Sequence, residues 1–230
     1  MQKKSYGFLF EENWENFIED TLKKRKIPYK KYEKNKLIVL EFNNKRIVVG
    51  TRSNSPGAAV DLELMKMYFD VKKVFRLGTF GGYSEKLKIS DILLCTDALR
   101  GEGTSKCYAQ DLSFPAACDF NLTKLISEIL VKKEPGFHYG TLWTTDGRMR
   151  QQDVDLRNKL IDKGTMGVDM ESSCFFVVSK VLGMQAANLS VVVDLPIKDK
   201  TYLEFDYDFP KTVKSLELCC KVYMEYILSD

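Results

Sequence analysis

An apolar stretch that ends in a glycine-rich turn is the feature that most restricts the fold of this chain. Residues 74–77 read Val-Phe-Arg-Leu, and residues 78–82 follow directly as Gly-Thr-Phe-Gly-Gly. A short apolar run of this kind predicts a buried strand, and the glycines allow the backbone N–H groups of the turn to point at one spot. Arg76 adds positive charge there, and the Thr79 hydroxyl adds a donor. The stretch therefore predicts a strand whose end binds an oxyanion.

Strand-like and helix-like patterns alternate along the rest of the chain. Strands are predicted at residues 37–42, 46–51, 71–79, 91–98, 138–145 and 187–194, and helices at residues 14–22, from about 56, at 122–131, 153–163, 169–182 and 213–227. This alternation favours an α/β domain whose ligands bind at strand ends. With 230 residues and 44% hydrophobic content, the chain can bury one substantial core, so we expect a single domain over residues 1–230.

Composition argues against several classes of function. The formal net charge of +3 does not demand a nucleic-acid partner. Six cysteines without a C-x-x-C pair, and the lone histidine His138, do not complete a zinc set, so we predict reduced thiols and no metal. We find no signal-peptide pattern and no segment of membrane-spanning length, and expect a cytoplasmic protein with no membrane partner.

The lysine-rich residues 23–36 are interpreted as a solvated helix end and loop, or as a source of a lysine for a neighbouring subunit's anion site.

Three carboxylates follow further along the chain. Residues 167–173 read Gly-Val-Asp-Met-Glu-Ser-Ser, and Asp194 closes the apolar residues 187–194. One carboxylate such as Glu171 can accept hydrogen bonds from both hydroxyls of a vicinal diol, the signature of ribose. Alone, Asp169 and Glu171 could only cap a helix, and Asp194 could only form a turn. Their occurrence together with the glycine-rich turn favours a shared site.

Together, the turn at residues 76–82, the triplet at 169–171 and Asp194 resemble the nucleoside phosphorylase family, which includes purine nucleoside and uridine phosphorylases. Residues 100–105 and 140–146 are also similar to segments of microbial members. The resemblance implies an α/β fold with a central mixed β-sheet flanked by helices. It implies phosphorolytic cleavage of purine nucleosides to free base and ribose 1-phosphate, with inorganic phosphate as co-substrate and no cofactor. It also implies a homo-oligomer, either a dimer or a trimer of dimers.

The resemblance assigns roles to individual residues. Asp194, Glu171 and Arg76 are the catalytic candidates. Phosphate binding falls to Arg76, Gly78 and Thr79, ribose binding to Met170 and Glu171, and base binding to Phe80, Gly81, Arg148, Val168, Asp169 and Asp194. Asp194 would protonate the leaving purine, which requires its pKa to lie above the ordinary value of about 3.9. An aspartate at this distance from the triplet goes with purine substrates in the family.

Some positions depart from the family pattern. Arg148 stands where an aromatic residue usually stacks on the base, a contact that a guanidinium plane or Phe80 could replace. Gln152 matches a base-reading glutamine of uridine phosphorylases, but Val154 replaces the arginine that accompanies it. Uridine phosphorolysis is therefore an alternative with weaker support.

The most serious departure lies at residues 6–12, where Tyr-Gly-Phe-Leu-Phe-Glu-Glu replaces a Gly-Asp-Pro-x-Arg loop that supplies a second phosphate arginine. A related branch of nucleosidases has an acidic residue near this place that activates water, so Glu11 or Glu12 could make the protein a hydrolase. Alternatively, both glutamates lie in the first turn of the following helix. The family's N-terminal histidine is also missing, which leaves a catalytically weakened nucleoside-binding protein as a further alternative. A dinucleotide-dependent oxidoreductase is disfavoured because the turn lacks G-x-G-x-x-G spacing.

Overall fold

A computed structural model describes residues 3–111, 113–196 and 209–230 of the chain. The strands in this part are β1 (Lys4–Phe10), β2 (Lys30–Lys34), β3 (Leu37–Phe42), β4 (Lys45–Gly50), β5 (Lys73–Gly82), β6 (Ile92–Gly101), β7 (His138–Thr145), β8 (Thr165–Asp169) and β9 (Gln185–Asp194). The helices are α1 (Glu15–Lys24), α2 (Asn54–Phe69), α3 (Thr104–Tyr108), α4 (Phe120–Leu130), α5 (Val154–Asp162), α6 (Ser172–Val181) and α7 (Phe209–Ser229). A 3-10 helix spans Arg148–Gln152.

These strands form one mixed sheet in the order β2-β3-β4-β1-β5-β8-β7-β6-β9, and β5 also pairs with β9. β5 runs parallel to β1 and β9 and makes a short antiparallel pairing with β8. Strands β5, β8, β7, β6 and β9 therefore close into a ring. The predicted α/β fold with a central mixed sheet flanked by helices is confirmed.

The central strand β5 is apolar because both of its faces are buried. Val74 belongs to an apolar layer that includes Leu62 of α2, whereas Phe75 belongs to the opposite layer and packs on Tyr223 of α7 with ring centroids 4.8 Å apart. Because side chains alternate along a strand, Arg76 lies on the same face as Val74. The strand thus places the positive charge of Arg76 on a buried face of the sheet.

Some of the sequence expectations for the fold are wrong. The lysine-rich segment is not only a helix end and loop, since Lys30–Lys34 forms β2 at the sheet edge, where the Lys31 amine lies 2.6 Å from a carboxylate oxygen of Glu19. The patterns also missed β1 and β8. The carboxylate triplet does not open a helix at Asp169, which ends β8; α6 begins at Ser172.

All six cysteines are free thiols, and Cys95, Cys174, Cys219 and Cys220 are buried. Burial raises the pKa of these four thiols above the usual range. Within residues 3–111, 113–196 and 209–230, no helix combines the length and the apolar character that crossing a bilayer requires.

Candidate active site

The ends of four strands, β5, β7, β8 and β9, surround a cavity of about 220 Å³. The predicted site residues that line it are Thr79, Phe80, Gly81, Arg148, Val168, Asp169, Met170, Glu171 and Asp194. Glu11, Ser53, Thr145 and Val193 complete the lining. The other two predicted residues, Arg76 and Gly78, lie directly beside the cavity against Glu11. The segment at residues 76–82, the triplet at 169–171 and Asp194 are far apart in the sequence and therefore meet at one place only through the fold.

Arg76 is the centre of the charged part of the site. Its side chain is only 2% exposed, and its guanidinium lies 2.7 Å from Glu171 Oε2, 2.6 Å from Glu11 Oε1 and 3.4 Å from Asp169 Oδ2. Burial alone disfavours the cation, but the three carboxylates together raise the pKa of Arg76 above its ordinary range. One permanent positive charge is thus shared by three acidic side chains.

Glu11 occupies the donors that the sequence assigned to phosphate. Its Oε1 accepts hydrogen bonds from Arg76 Nη2 at 2.6 Å and from the Thr79 backbone N–H at 2.8 Å, and its Oε2 accepts one from Thr79 Oγ1 at 2.7 Å. A Cβ at position 78 would lie 2.4 Å from Glu11 Oε1, so Gly78 makes this approach possible. Burial, helped by the negative charge of Glu171, raises the pKa of Glu11 to about 7, against the opposing effects of Arg76 and Thr79.

Strand register explains why Glu11, and not Glu12, enters the site. β1 pairs with β5 so that Leu9 lies opposite Arg76 and Phe10 opposite Leu77. The next residue of the chain, Glu11, therefore reaches Gly78 and Thr79, whereas Glu12 is exposed. The predicted turn at residues 78–82 is wrong, because β5 continues through these residues and pairs with β9. Helix α1 begins only at Glu15, so the interpretation that both glutamates lie in its first turn is wrong.

Glu171 is held between the start of α2 and Arg76. Its Oε1 accepts a hydrogen bond from the Asn54 backbone N–H at 2.7 Å, and the Ser55 hydroxyl donates to the Met170 carbonyl at 2.7 Å. Asn54 adopts a left-handed conformation with φ of 62°. Burial raises the pKa of Glu171, with a further increase from Asp169, while Arg76 opposes both. No sequence motif indicated this support by Asn54 and Ser55, which precede Glu171 by more than 100 residues.

Asp169 lines the cavity, but its carboxylate is fully buried. It accepts hydrogen bonds from Thr144 Oγ1 at 2.8 Å and from the Ser172 backbone N–H at 3.1 Å, and also from the Ser172 hydroxyl. These bonds join β7, β8 and the first turn of α6. Asp169 therefore stabilises the junction that presents Glu171, in line with the capping interpretation of its carboxylate.

The residues predicted to bind the base, apart from Asp169, form the apolar and outer part of the cavity. Phe80 and Val168 are buried, and β5 and β8 approach so closely that a Cβ at Gly167 would lie 2.3 Å from the Gly81 carbonyl oxygen. Arg148 is exposed on the 3-10 helix, and Asp194 is half-buried at the end of β9. The side chain of Gln152, the residue on which the uridine alternative rests, lies outside the described part.

Comparisons with known proteins agree on the family. A family model described as the phosphorylase superfamily matches residues 10–223. A DeoD-type purine nucleoside phosphorylase of Clostridium beijerinckii is 28% identical over 154 residues, which is 66% of this chain and 65% of that protein. The structure of uridine phosphorylase from Vibrio fischeri has a TM-score of 0.82 at 21% identity and covers 98% of this chain and 91% of that chain. AMP nucleosidase from Bacteroides thetaiotaomicron has a TM-score of 0.75 at 22% identity, covering 100% and 92%.

Proposed function

The chain belongs to the phosphorylase superfamily, and from this premise we propose that it cleaves the N-glycosidic bond of purine nucleosides with water as the nucleophile. The observation that carries the choice of water is the position of Glu11. Its carboxylate accepts hydrogen bonds from Arg76, the Thr79 N–H and the Thr79 hydroxyl, which are the donors a phosphate would need. While Glu11 is ionised, its carboxylate occupies the donors that phosphate would need, and its negative charge repels phosphate.

Glu11 is suited to accept a proton from water at neutral pH. A general base works best when its pKa lies near the operating pH, and burial raises the pKa of Glu11 to about 7. A water molecule beside Glu11 would transfer one proton to the carboxylate as its oxygen forms a bond to the anomeric carbon. Arg76 and Thr79 keep the carboxylate in place through their hydrogen bonds.

Glu171 would bind the ribose. Each of its oxygens accepts one hydrogen bond in the protein, from Asn54 N–H and from Arg76, and each carboxylate oxygen has room for a second donor. The two ribose hydroxyls can fill these positions. Positive charge that develops on the sugar ring would be stabilised by Glu11 and Glu171, since the cluster around Arg76 carries more carboxylates than cations.

Asp194 would complete the reaction on the other side of the bond. As the C–N bond breaks, its electron pair moves to the purine, and Asp194 donates a proton to a ring nitrogen. The preference for purine rests on the family pattern of this aspartate. Phe80 and Val168 supply apolar contact for the base, and the exposed Arg148 can lie over its face where relatives use an aromatic side chain.

Phosphorolysis to ribose 1-phosphate is the second candidate, because Arg76, Gly78 and Thr79 retain the composition of an oxyanion site. Phosphate could enter once Glu11 is protonated and has moved away from the Thr79 N–H. In this case inorganic phosphate is a co-substrate, and the purine and ribose contacts are unchanged.

The test is to incubate the protein with inosine, adenosine, guanosine and uridine, with and without phosphate, and to measure free base together with ribose and ribose 1-phosphate. Purine release that yields ribose at the same rate without phosphate supports hydrolysis. Release that requires phosphate and yields ribose 1-phosphate overturns hydrolysis in favour of phosphorolysis. Nucleoside binding by calorimetry without any turnover contradicts both reactions and supports a binding protein.

A further inference from the structure

Two polar side chains interrupt the apolar strand β9 directly beside Arg76. Residues 187–191 read Ala-Asn-Leu-Ser-Val, and Asn188 and Ser190 are both 0% exposed. Because side chains alternate along a strand, these two share one face, whereas Leu189 between them lies in the apolar layer of the other face. Burying an amide and a hydroxyl in a core strand is unfavourable unless both are hydrogen-bonded. Their contacts therefore have to explain why they are there.

Both side chains contact the same nitrogen of the Arg76 guanidinium. β5 and β9 pair in parallel so that Arg76 lies opposite Asn188. Arg76 Nη1 donates to Ser190 Oγ at 3.0 Å and to Asn188 Oδ1 at 3.4 Å, and the Ser190 hydroxyl donates to Asn188 Oδ1 at 3.1 Å. The other end of the amide, Asn188 Nδ2, donates to Ser172 Oγ at 2.8 Å. The polar atoms of both side chains thus have partners, which offsets the cost of burying them.

The guanidinium fixes the orientation of the Asn188 amide. A guanidinium can only donate, so the amide atom that faces Arg76 must be the oxygen, and the amide nitrogen must face Ser172. The Ser172 hydroxyl accepts from this nitrogen and donates its own proton to Asp169. The chain of hydrogen bonds from Arg76 to Asp169 can therefore run in one direction only, which holds Asn188 in a single orientation.

The other terminal nitrogen of Arg76 faces the two carboxylates of the proposed reaction. Nη2 lies 2.6 Å from Glu11 Oε1 and 2.7 Å from Glu171 Oε2. Because one nitrogen donates to both, a rotation of the guanidinium would lengthen at least one of these contacts. A neutral acceptor binds a guanidinium less strongly than a carboxylate does, so the acceptors on β9 can hold Nη1 without drawing Arg76 away from Glu11 and Glu171.

We propose that Asn188 and Ser190 are positioning residues for Arg76. By holding Nη1, they direct Nη2 to the point where it contacts both Glu11 and Glu171. Both side chains are fully buried, and they reach the reaction only through Arg76. This role rests on the hydrolysis proposed above, in which Glu11 accepts the proton of the attacking water while Arg76 holds its carboxylate.

The protonation of Glu11 reports on this positioning without any substrate. Glu11 is faced by Arg76 and Thr79 from β5 and by Glu171 from the segment before α6, and Arg52 lines a small neighbouring cavity with it. Burial and the charge of Glu171 raise the pKa of Glu11 to about 7, and the charge of Arg76 is the largest opposing effect. If Nη2 loses its position, this opposing effect weakens and the pKa of Glu11 rises further.

The test uses two variants that each remove one acceptor of Nη1. Ser190→Ala removes a hydroxyl with little change of volume, and Asn188→Ala removes the amide. The titration midpoint of Glu11 is measured by ¹³C NMR on protein labelled at the glutamate side-chain carboxyls, with the signal assigned by its absence from Glu11→Gln. Since a charge-assisted hydrogen bond contributes about tenfold to an equilibrium, we expect the midpoint to move from about 7 to about 8 in either variant.

Ser179→Ala is the matched control. Ser179 on α6 is also 0% exposed, and its hydroxyl makes no hydrogen bond within the described residues. Its removal should change neither the midpoint of Glu11 nor the rate of base release. A lower stability of Ser190→Ala without a change in midpoint would be the behaviour of a residue that only supports the fold.

Base release should follow the titration. A midpoint of about 8 lowers the ionised fraction of Glu11 at pH 7 by about fivefold, so Ser190→Ala should be about fivefold slower at pH 7 and close to the wild type at pH 9. An unchanged midpoint would overturn the positioning role, and Ser190→Ala decides this alone if Asn188→Ala does not fold. A shifted midpoint in a protein whose wild type releases no base would instead contradict the proposed hydrolysis and support the positioning of Arg76.

Discussion

Replacing Glu11 with glutamine separates a catalytic role of this residue from a structural one. The change removes a negative charge and preserves the shape of the side chain. The amide oxygen can still accept from Arg76 and the Thr79 N–H, and the amide nitrogen can donate to Thr79 Oγ1, since a hydroxyl is both donor and acceptor. The variant should therefore fold, but it cannot take a proton from water.

The expected effects on rate and stability have opposite signs. Loss of a general base lowers turnover by about 10² to 10⁴. The pKa of Glu11 is raised from 4.5 to about 7 in the folded protein, so protonated Glu11 favours folding below pH 4.5, and this stabilisation is lost as the pH rises through 7. At about 1.36 kcal/mol per pKa unit, ionisation of Glu11 costs the folded state up to about 3 kcal/mol at pH 8. We expect Glu11→Gln to avoid this cost and to be as stable as the wild type, or more stable, at pH 8.

Two measurements check this prediction. Base release between pH 5 and 9 should rise through about pH 7 in the wild type and lose this dependence in Glu11→Gln. Urea unfolding at pH 5 and pH 8 should show a smaller decrease in stability for the variant than for the wild type. Glu12→Gln is the matched control, because Glu12 is the exposed neighbour and should change neither property. Wild-type turnover combined with a clear loss of stability at pH 8 would show that Glu11 serves only as a structural ion-pair partner of Arg76.

Three further substitutions test the other assigned roles. Glu11→Ala should open the oxyanion site, and base release by this variant should become dependent on phosphate; a rate insensitive to phosphate would count against Arg76 as an oxyanion ligand. Glu171→Gln should raise KM for ribonucleosides by about tenfold, since it replaces one acceptor of the diol by a donor, and should affect 2′,3′-dideoxynucleosides much less. Asp194→Asn should slow purine release by about 10² or more but spare a nitrophenyl riboside, whose leaving group needs no proton; equal losses on both substrates would contradict a proton donor.

Most elements of the fold could be predicted from the sequence, because each has one strong hydrophobic pattern. The predicted strands at 37–42 and 138–145 agree with β3 and β7. β2 was missed because most of its residues are charged. Charged residues indicate that a segment is exposed, but they do not show its backbone conformation, and an edge strand can be exposed. β8 has only five residues, too few for a periodic pattern.

Residues of the candidate site could be predicted from the sequence only where they belong to compact motifs. Arg76 and Glu171 come from two such motifs, and they meet at 2.7 Å. Asn54 gave no signal, because its contribution is a backbone N–H whose position depends on how α2 packs against α6. Glu11 and Glu12 are equivalent in the sequence, and only the pairing of β1 with β5 distinguishes them. Tertiary placement, which no local pattern encodes, decides both cases.

Our proposal that water is the nucleophile rests on the charge around Arg76 more than on any single motif. An oxyanion site with one arginine attracts phosphate only if the positive charge of the arginine is not already balanced by carboxylates. Here Asp169 and Glu171 already offset that charge, and both are fixed by hydrogen bonds to the backbone of neighbouring elements. A third carboxylate, Glu11, can remain only because Gly78 has no side chain in its path and because the pKa of Glu11 rises to about 7, which relieves the excess negative charge near neutrality. Glu11 can therefore exchange a proton near neutrality, as the proposed attack by water requires.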